Sequence, residues 1–361
     1  MFTPADLMKK SSAIFGKPHP NFMRKVVFKR LGAKNQLVLV GPGEGLDNAV
    51  LSLQDGRVLI ITTDPISIIP SIDIKESAWL SVHLVASDFA TSGVKPEFAL
   101  FDLNIPQEID DSGLQAYIKA IDAECRTLGI SVVGGHTGRY PGGGLTVVGS
   151  GTIFGIARDG SYLTPAMAQE DDVVVMTKGA AIETVAILAN AFPMTIRERL
   201  GRKLADSAQA YLKKCSVFDD AFAAISTGIK EAGVTSMHDA TEGGVLGALS
   251  EMAAASGKRI VVEKEKIHIS KEAELVCSAF DIDPLLSLSE GTLLITCKKT
   301  SVQGVIERLR KNDVDGFVIG NVVKGDSGLW IRERSRIRRF MRPKEDPYWR
   351  AYSQGVANEF K

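Results

Sequence analysis

Four aspartates stand where carboxylates could gather on one ligand. Asp47 follows the glycine-rich turn 41–45, Asp64 ends an apolar run, Asp88 lies among apolar helix neighbours, and Asp239 precedes Gly243–Gly244. Carboxylates in such a group suit magnesium, a hard cation that prefers oxygen ligands and is usually shared with nucleotide phosphates. Asp88 is the least ordinary of the four. Its neighbours Leu84, Val85 and Phe89 belong to an apolar helix, and a buried carboxylate is costly unless paired, hydrogen-bonded or bound to metal. Taken singly, each aspartate also reads as a helix cap or turn residue.

Three further runs carry chemistry. Gly134-Gly135-His136-Thr137 follows the apolar run 130–133. Its glycines let a backbone approach a ligand, and His136 and Thr137 offer a donor or base. The plainer reading is a tight loop with His136 bonded to backbone. His238-Asp239-Ala240-Thr241-Glu242-Gly243-Gly244 opens a helix. Helix N-termini attract anions such as phosphate, although Thr241 also reads as an ordinary N-cap. Ser289-Glu290-Gly291 precedes a strand, where Glu290 either orients a substrate or metal or simply starts the strand. Other templates are missing: GxxxxGK[ST], HExxH, GxSxG and a zinc-type Cys/His set do not occur. Gly142–Gly143–Gly144 completes no dinucleotide fingerprint.

The elements that must position these residues are legible in outline. Helices are predicted over residues 20–31, 77–92 (stopped by Gly93), 112–128 (stopped by Gly129), 182–191, 197–214, 218–232, 244–256 and 301–311. Strands are predicted over 36–40, 48–53, 58–63, 97–104, 130–133, 145–155, 173–177, 293–297 and 317–323, with a loop over 134–144. Charge and glycine at Arg158-Asp159-Gly160 mark a boundary between an N-terminal unit, 1–160, and a C-terminal α/β unit, 161–361.

Composition bounds the function. The 361 residues carry 43 basic and 43 acidic side chains, and zero net charge argues against a dominant electrostatic grip on nucleic acid. The six arginines between Arg332 and Arg342 read as a solvated strand and turn balanced by Glu333, Glu345 and Asp346. Cys125, Cys215, Cys277 and Cys297 are widely spaced, as expected for buried thiols in a reducing compartment. With no signal-like start and no apolar run of membrane-spanning length, the expected location is cytoplasmic and membrane-free.

Taken in order, these motifs resemble the PurM superfamily of AIR synthase, HypE, selenophosphate synthetase and thiamine-monophosphate kinase. Gly45-Leu46-Asp47-Asn48-Ala49 stands for its GDDAA segment, Thr62-Thr63-Asp64 for TTD, and residues 87–96 for NDLAxxGAxP. Gly134-Gly135-His136-Thr137 matches GGHT with Pro141-Gly142 following, residues 239–245 match DPTRGGL, and Glu290-Gly291 matches an acidic-Gly step. The resemblance implies a two-domain α/β fold of mixed α+β type, whose N-terminal mixed sheet dimerises into a barrel-like core. It implies ATP with Mg2+ held by Asp47, Asp64, Asp88 and Asp239, and a nucleotide loop at Gly134, Gly135, His136 and Thr137, with Gly243 and Gly244 beside it. His136 and Asp239 are the implied catalytic positions.

The implied activity is ATP-driven activation, by phosphorylation or dehydration, of a small-molecule or protein-derived group. The alternative is a non-catalytic ATP-binding partner in a maturation or metabolic complex. Three departures bear on this choice. Leu46 replaces the first acid of the GDD pair, with Glu44 nearby as a substitute. Glu242 replaces the arginine of DPTRGGL. The sequence ends Ala357-Asn358-Glu359-Phe360-Lys361, without the terminal cysteine of HypE.

Overall fold

The computed structural model describes residues 15–140, 146–358 and 360. The residues before Phe15, the run Pro141–Gly142–Gly143–Gly144 with Leu145, and Glu359 and Lys361 at the tail lie outside the described residues.

Alternating apolar residues build the first sheet. Its strands are β1 (Val38–Val40), β2 (Ala49–Ser52), β3 (Arg57–Ser67), β4 (Phe98–Ile105), β5 (Ser131–Arg139) and β6 (Val147–Arg158), in the spatial order β1-β2-β3-β6-β4-β5. In β3, Val58, Ile60, Thr62 and Ile66 are buried while their neighbours are less covered, the period of two expected for a sheet with one packed face. That face is covered by α1 (Ile74–Ala90) and α2 (Asp111–Leu128), where Val82, Val85 and Phe89 share a core with Ile60, Ile66 and Ile153. The Asp73 and Asp110 side chains cap the two helices, and Gly129, at φ 73°, ends α2. The other face and the β5 edge stay open: Val132 is 50% and Val133 54% exposed.

The second sheet holds β7 (Val173–Thr177), β8 (Val234–Ala240), β9 (Arg259–Glu263), β10 (Thr292–Cys297), β11 (Gly316–Val323), β12 (Gly328–Glu333) and β13 (Arg336–Arg339), in the order β13-β12-β9-β11-β7-β10-β8. Every residue of β7, β8 and β10 is buried. Helices α3 (Ile182–Ala191), α4 (Pro193–Leu200), α5 (Arg202–Gln209), α6 (Phe218–Ile225), α7 (Gly244–Ser256), α8 (Lys271–Ala279), α9 (Val302–Lys311) and α10 (Pro347–Ala357) surround it. On one face α7 packs Val245, Leu249 and Met252 into a core with Val174 and Leu294. On the other, Ala221 of α6 and Val305 of α9 pack with Val175 and Ile295. This two-sided cover explains the continuous apolar runs.

Several predicted bounds differ from the structure. Asp64 lies inside β3, because pairing with β6 continues to Ser67. The predicted helix 197–214 breaks at Gly201, which sits at φ 86°, and residues 210–214 tighten into a 3-10 turn. Predicted helix 218–232 stops at Ile225, ahead of Gly228 at φ 108°. Residues 134–139, read as loop, continue β5 in parallel pairing with β4. Strands β8 and β9 and helices α8 and α10 have no counterpart among the predicted elements, whereas β13 and the end of β12 form the solvated strand and turn expected of the arginine-rich stretch. The four cysteines are free and buried. Among the described residues no helix is long and apolar enough to cross a membrane.

Candidate functional site

The second half of β3, the C-terminal end of α1, the turn before β2 and the end of β8 meet at one acidic cleft. Gly45 makes the turn possible: at φ 69°, it lies so close to α7 that a Cβ there would fall 2.7 Å from the Glu251 carbonyl oxygen. The turn delivers Asp47, whose carboxylate accepts from Thr91 Oγ1 at 3.0 Å and from His238 Nδ1 at 2.8 Å. Thr62 Oγ1 donates to the Asp47 carbonyl at 2.8 Å and stands 3.5 Å from Asp88 Oδ2. Ligand atoms of Asp47, His238 and Asp239 all lie within 4.8 Å of one another.

The four aspartates feel each other's charge. Burial, then Asp239, Asp64 and Asp47, push the Asp88 carboxyl well above its usual range. Asp64 is raised by burial, with Glu242 and Asp47 adding to it and Lys17 opposing. Asp239, 1% exposed, is pushed up to about 7 by burial and Asp47. Both Asp239 carboxylate oxygens are buried and find no hydrogen-bond partner among the described residues, the nearest charge being His238 Nδ1 at 3.9 Å from Oδ1. An orphaned buried carboxylate is costly in an apo protein and needs an explanation such as an ion. Oxygen-rich donors of this kind fit magnesium.

Behind them runs a chain of charges. His238 Nε2 bonds Glu251 at 3.1 Å, so both ring nitrogens are used. Burial opposes a charge on His238, but the Asp47 and Glu251 carboxylates raise its pKa well above the usual value. The histidine therefore orients Asp47 rather than offering a free ligand atom. Burial alone would raise Glu251, yet His238 and Arg342 hold it at about 2. Arg342 pairs with Glu251 and donates to the Glu242 carbonyl at 2.8 Å. A cavity of about 250 Å³ opens beside this chain, lined by Lys17, Leu46, Asp47, His238, Glu251 and Arg342 among others. Leu46 thus forms a cavity wall. Glu44 is engaged by Arg24, which leaves it a poor substitute for the missing acid.

The remaining sequence-derived residues fall in different places. Gly243 and Gly244 do open α7, but the Gly243 N–H donates to the Asp346 carboxylate at 2.8 Å, so that helix terminus already holds an anion. Thr241 makes no side-chain cap there. Glu290 is buried with Oε2 unpartnered, and burial with Asp239 and Glu183 raises its carboxyl well above the usual range. Gly134, Gly135, His136 and Thr137 are not drawn into the cleft of their own chain. Pairing runs Gly135–Phe101–Gly151–Asp64 across the sheet, so Gly135 stands three strands, about 14 Å, from Asp64. His136 Nε2 bonds Tyr140 Oη at 2.6 Å on the exposed edge, beside a groove of about 520 Å³ along β5.

Lys17 and Glu251 have no signal in the sequence, and His238 and Arg342 have no site role there. His238 had a signal in its position next to Asp239. Arg342 had only the arginine-rich tail, which read as solvated, and β13 itself is indeed exposed throughout.

The AIR synthase related protein N-terminal domain matches residues 45–157, and the AIR synthase related protein C-terminal domain matches residues 169–331. The chain belongs to the AIR synthase-related family. A putative hydrogenase expression/formation protein of Methanocaldococcus jannaschii is 25% identical over 88% of this chain and 91% of its own. The selenide, water dikinase of Caldanaerobacter subterraneus subsp. tengcongensis is 25% identical over 90% of this chain and 97% of its own. The crystal structure of the hydrogenase maturation protein HypE in complex with ATP superposes with a TM-score of 0.64 at 19% identity, covering 91% of this chain and 93% of that one. The two mixed-sheet domains are those of the AIR synthase-related, PurM-like fold.

Proposed function

We propose that this protein is an ATP- and magnesium-dependent enzyme that activates a small-molecule or protein-derived group by phosphorylation. The observation that carries the reading is Asp239, whose two buried oxygens lack hydrogen-bond partners beside Asp47, Asp64 and Asp88. A relative crystallised with ATP and a relative named as a dikinase support the same chemistry. In this reading the four aspartates hold magnesium, which would neutralise charge on the nucleotide phosphates. Thr91 and His238 fix the Asp47 carboxylate, and Glu251 with Arg342 fixes His238. Glu290, whose carboxyl feels Asp239 and is held toward its neutral form first by burial, can keep a proton at the unpartnered Oε2. Proton holding of this kind suits an acid or base tuned by its surroundings.

The open β5 edge and its exposed Val132 and Val133 favour a homodimer through the first sheet. In that assembly the Gly134–Thr137 segment would serve the nucleotide from the dimer surface, and light scattering at micromolar concentration should report two chains.

Leu46 and the Arg24-bound Glu44 favour a second reading, a non-catalytic ATP-binding partner of a larger complex. ADP release with a panel of metabolites separates the two. Release stimulated by one acceptor class supports the enzyme, and silence with ATP still bound supports the partner.

A further inference from the structure

The N-terminal segment crosses the acidic cleft, and the motif reading gave it no function. Lys17 Nζ donates to Thr241 Oγ1 at 3.1 Å, and its backbone N–H donates to the Glu242 carboxylate. Gly16, at φ 82°, lies against Glu242 and Trp349 so closely that a Cβ would fall 2.5 Å from the Glu242 oxygens and 2.6 Å from Trp349 Nε1. Phe15 packs on the Trp349 ring at 6.3 Å between centroids. Farther along, Arg24 pairs with Glu44. Lys17, Pro18 and Pro20 line both the 250 Å³ cavity and a smaller one over Gly243.

We propose that residues 15–31 are a strap over the acid site, in which Lys17 is a tethered counter-cation that a divalent metal ion displaces and Glu242 is the latch. The inference rests on the reading that the aspartates hold a cation. Lys17 as a residue is exposed, but its ammonium end is desolvated over the cleft, a cost that Asp64, Glu251, Asp88 and Glu242 outweigh, keeping it protonated. A single positive charge only partly offsets four carboxylates, whereas a divalent ion with oxygen ligands offsets more and binds them directly. Loading the metal therefore removes the reason for Lys17 to stay. Glu242 acquires a role by the same argument. Where the related motif has arginine, a carboxylate here receives the strap's backbone N–H and faces its glycine.

The test titrates Mn2+ alone, without nucleotide, into the full-length wild type, Lys17→Met and Glu242→Gln, and follows backbone hydrogen exchange over residues 19–31. Lys17→Met should bind Mn2+ about fivefold tighter or more, because a competing charge is gone. Saturating Mn2+ should speed strap exchange in the wild type, and Glu242→Gln should speed it without metal. Equal or weaker Mn2+ binding by Lys17→Met, or strap exchange indifferent to Mn2+, overturns the strap alone. Absence of Mn2+ binding in all three proteins overturns the metal reading and the strap together.

Discussion

Replacing Asp239 with asparagine should stabilise the metal-free protein and reduce its stabilisation by magnesium. The Asp239 carboxyl is raised from the ordinary 3.8 to about 7, first by burial and then by Asp47. A carboxyl with a raised pKa holds its proton more tightly when folded than when unfolded. It therefore costs nothing below about pH 4, costs progressively more up to about pH 7, and costs its full amount above that. A shift of about three pH units corresponds to about 4 kcal/mol. Asparagine removes that cost but leaves a buried amide short of partners, a penalty of roughly 1–3 kcal/mol. The net gain at pH 8 is about 2 kcal/mol, or a rise in Tm of roughly 4–8 °C for a unit of this size. Differential scanning fluorimetry in EDTA and in excess magnesium, at pH 5 and pH 8, reads the effect. Wild type should lose stability between pH 5 and 8 in EDTA and recover it with magnesium. Asp239→Asn should lose less over that range and regain less with magnesium, the rest of the loss belonging to Asp88, Asp64 and Glu290. A variant that melts below wild type in EDTA at pH 8 would refute the reasoning.

Asp64→Asn should weaken Mg-ATP binding by tenfold or more, about 1.4 kcal/mol, while leaving the fold intact. Calorimetric titration checks it, and unchanged affinity would remove Asp64 from the site. Arg342→Met leaves Glu251 with His238 as its remaining ion-pair partner, and should cost roughly 1–3 kcal/mol as a broken, partly buried pair. Arg342→Lys should recover part of that loss in a urea melt. His83 bonds Ser216 at 3.0 Å, and burial holds its pKa below the usual value. The folded protein thus binds this proton less readily than the unfolded chain, so the contribution of His83 is complete above about pH 6.5 and fades as pH falls below it. Urea midpoints at pH 5.5 and 7.5 should differ less in His83→Gln than in wild type.

The aspartates were legible because residue type and order carried them. Asp88 among Leu84, Val85 and Phe89 announced a carboxylate with a reason to be there, and its carboxyl is indeed strained by burial and by its acidic neighbours. Convergence itself was not legible, since His238 reaches Asp47 across 191 residues and Lys17 reaches Thr241 across 224. Long-range contacts of that kind leave no period in the sequence. Glycine misled in two directions. Gly134 and Gly135 read as a turn, yet they sit in a strand where Gly135, at φ 143°, lies so close to β4 that a Cβ would fall 1.9 Å from the Phe101 carbonyl oxygen. Gly201 inside an otherwise helical pattern was passed over, and there the chain breaks. The tail arginines divide on the same physical ground. Those of β13 face solvent as charge-run reasoning expects, while Arg342 finds a partly buried carboxylate in Glu251.

The most direct test of the central claim is a crystal structure with a non-hydrolysable ATP analogue and Mn2+, read by anomalous scattering. Metal peaks are expected between the nucleotide phosphates and Asp47, Asp64, Asp88 and Asp239, with Asp239 as a direct ligand and Lys17 moved from Thr241. Nucleotide bound elsewhere, or bound with Asp239 still unpartnered and no metal at the aspartates, would contradict that claim.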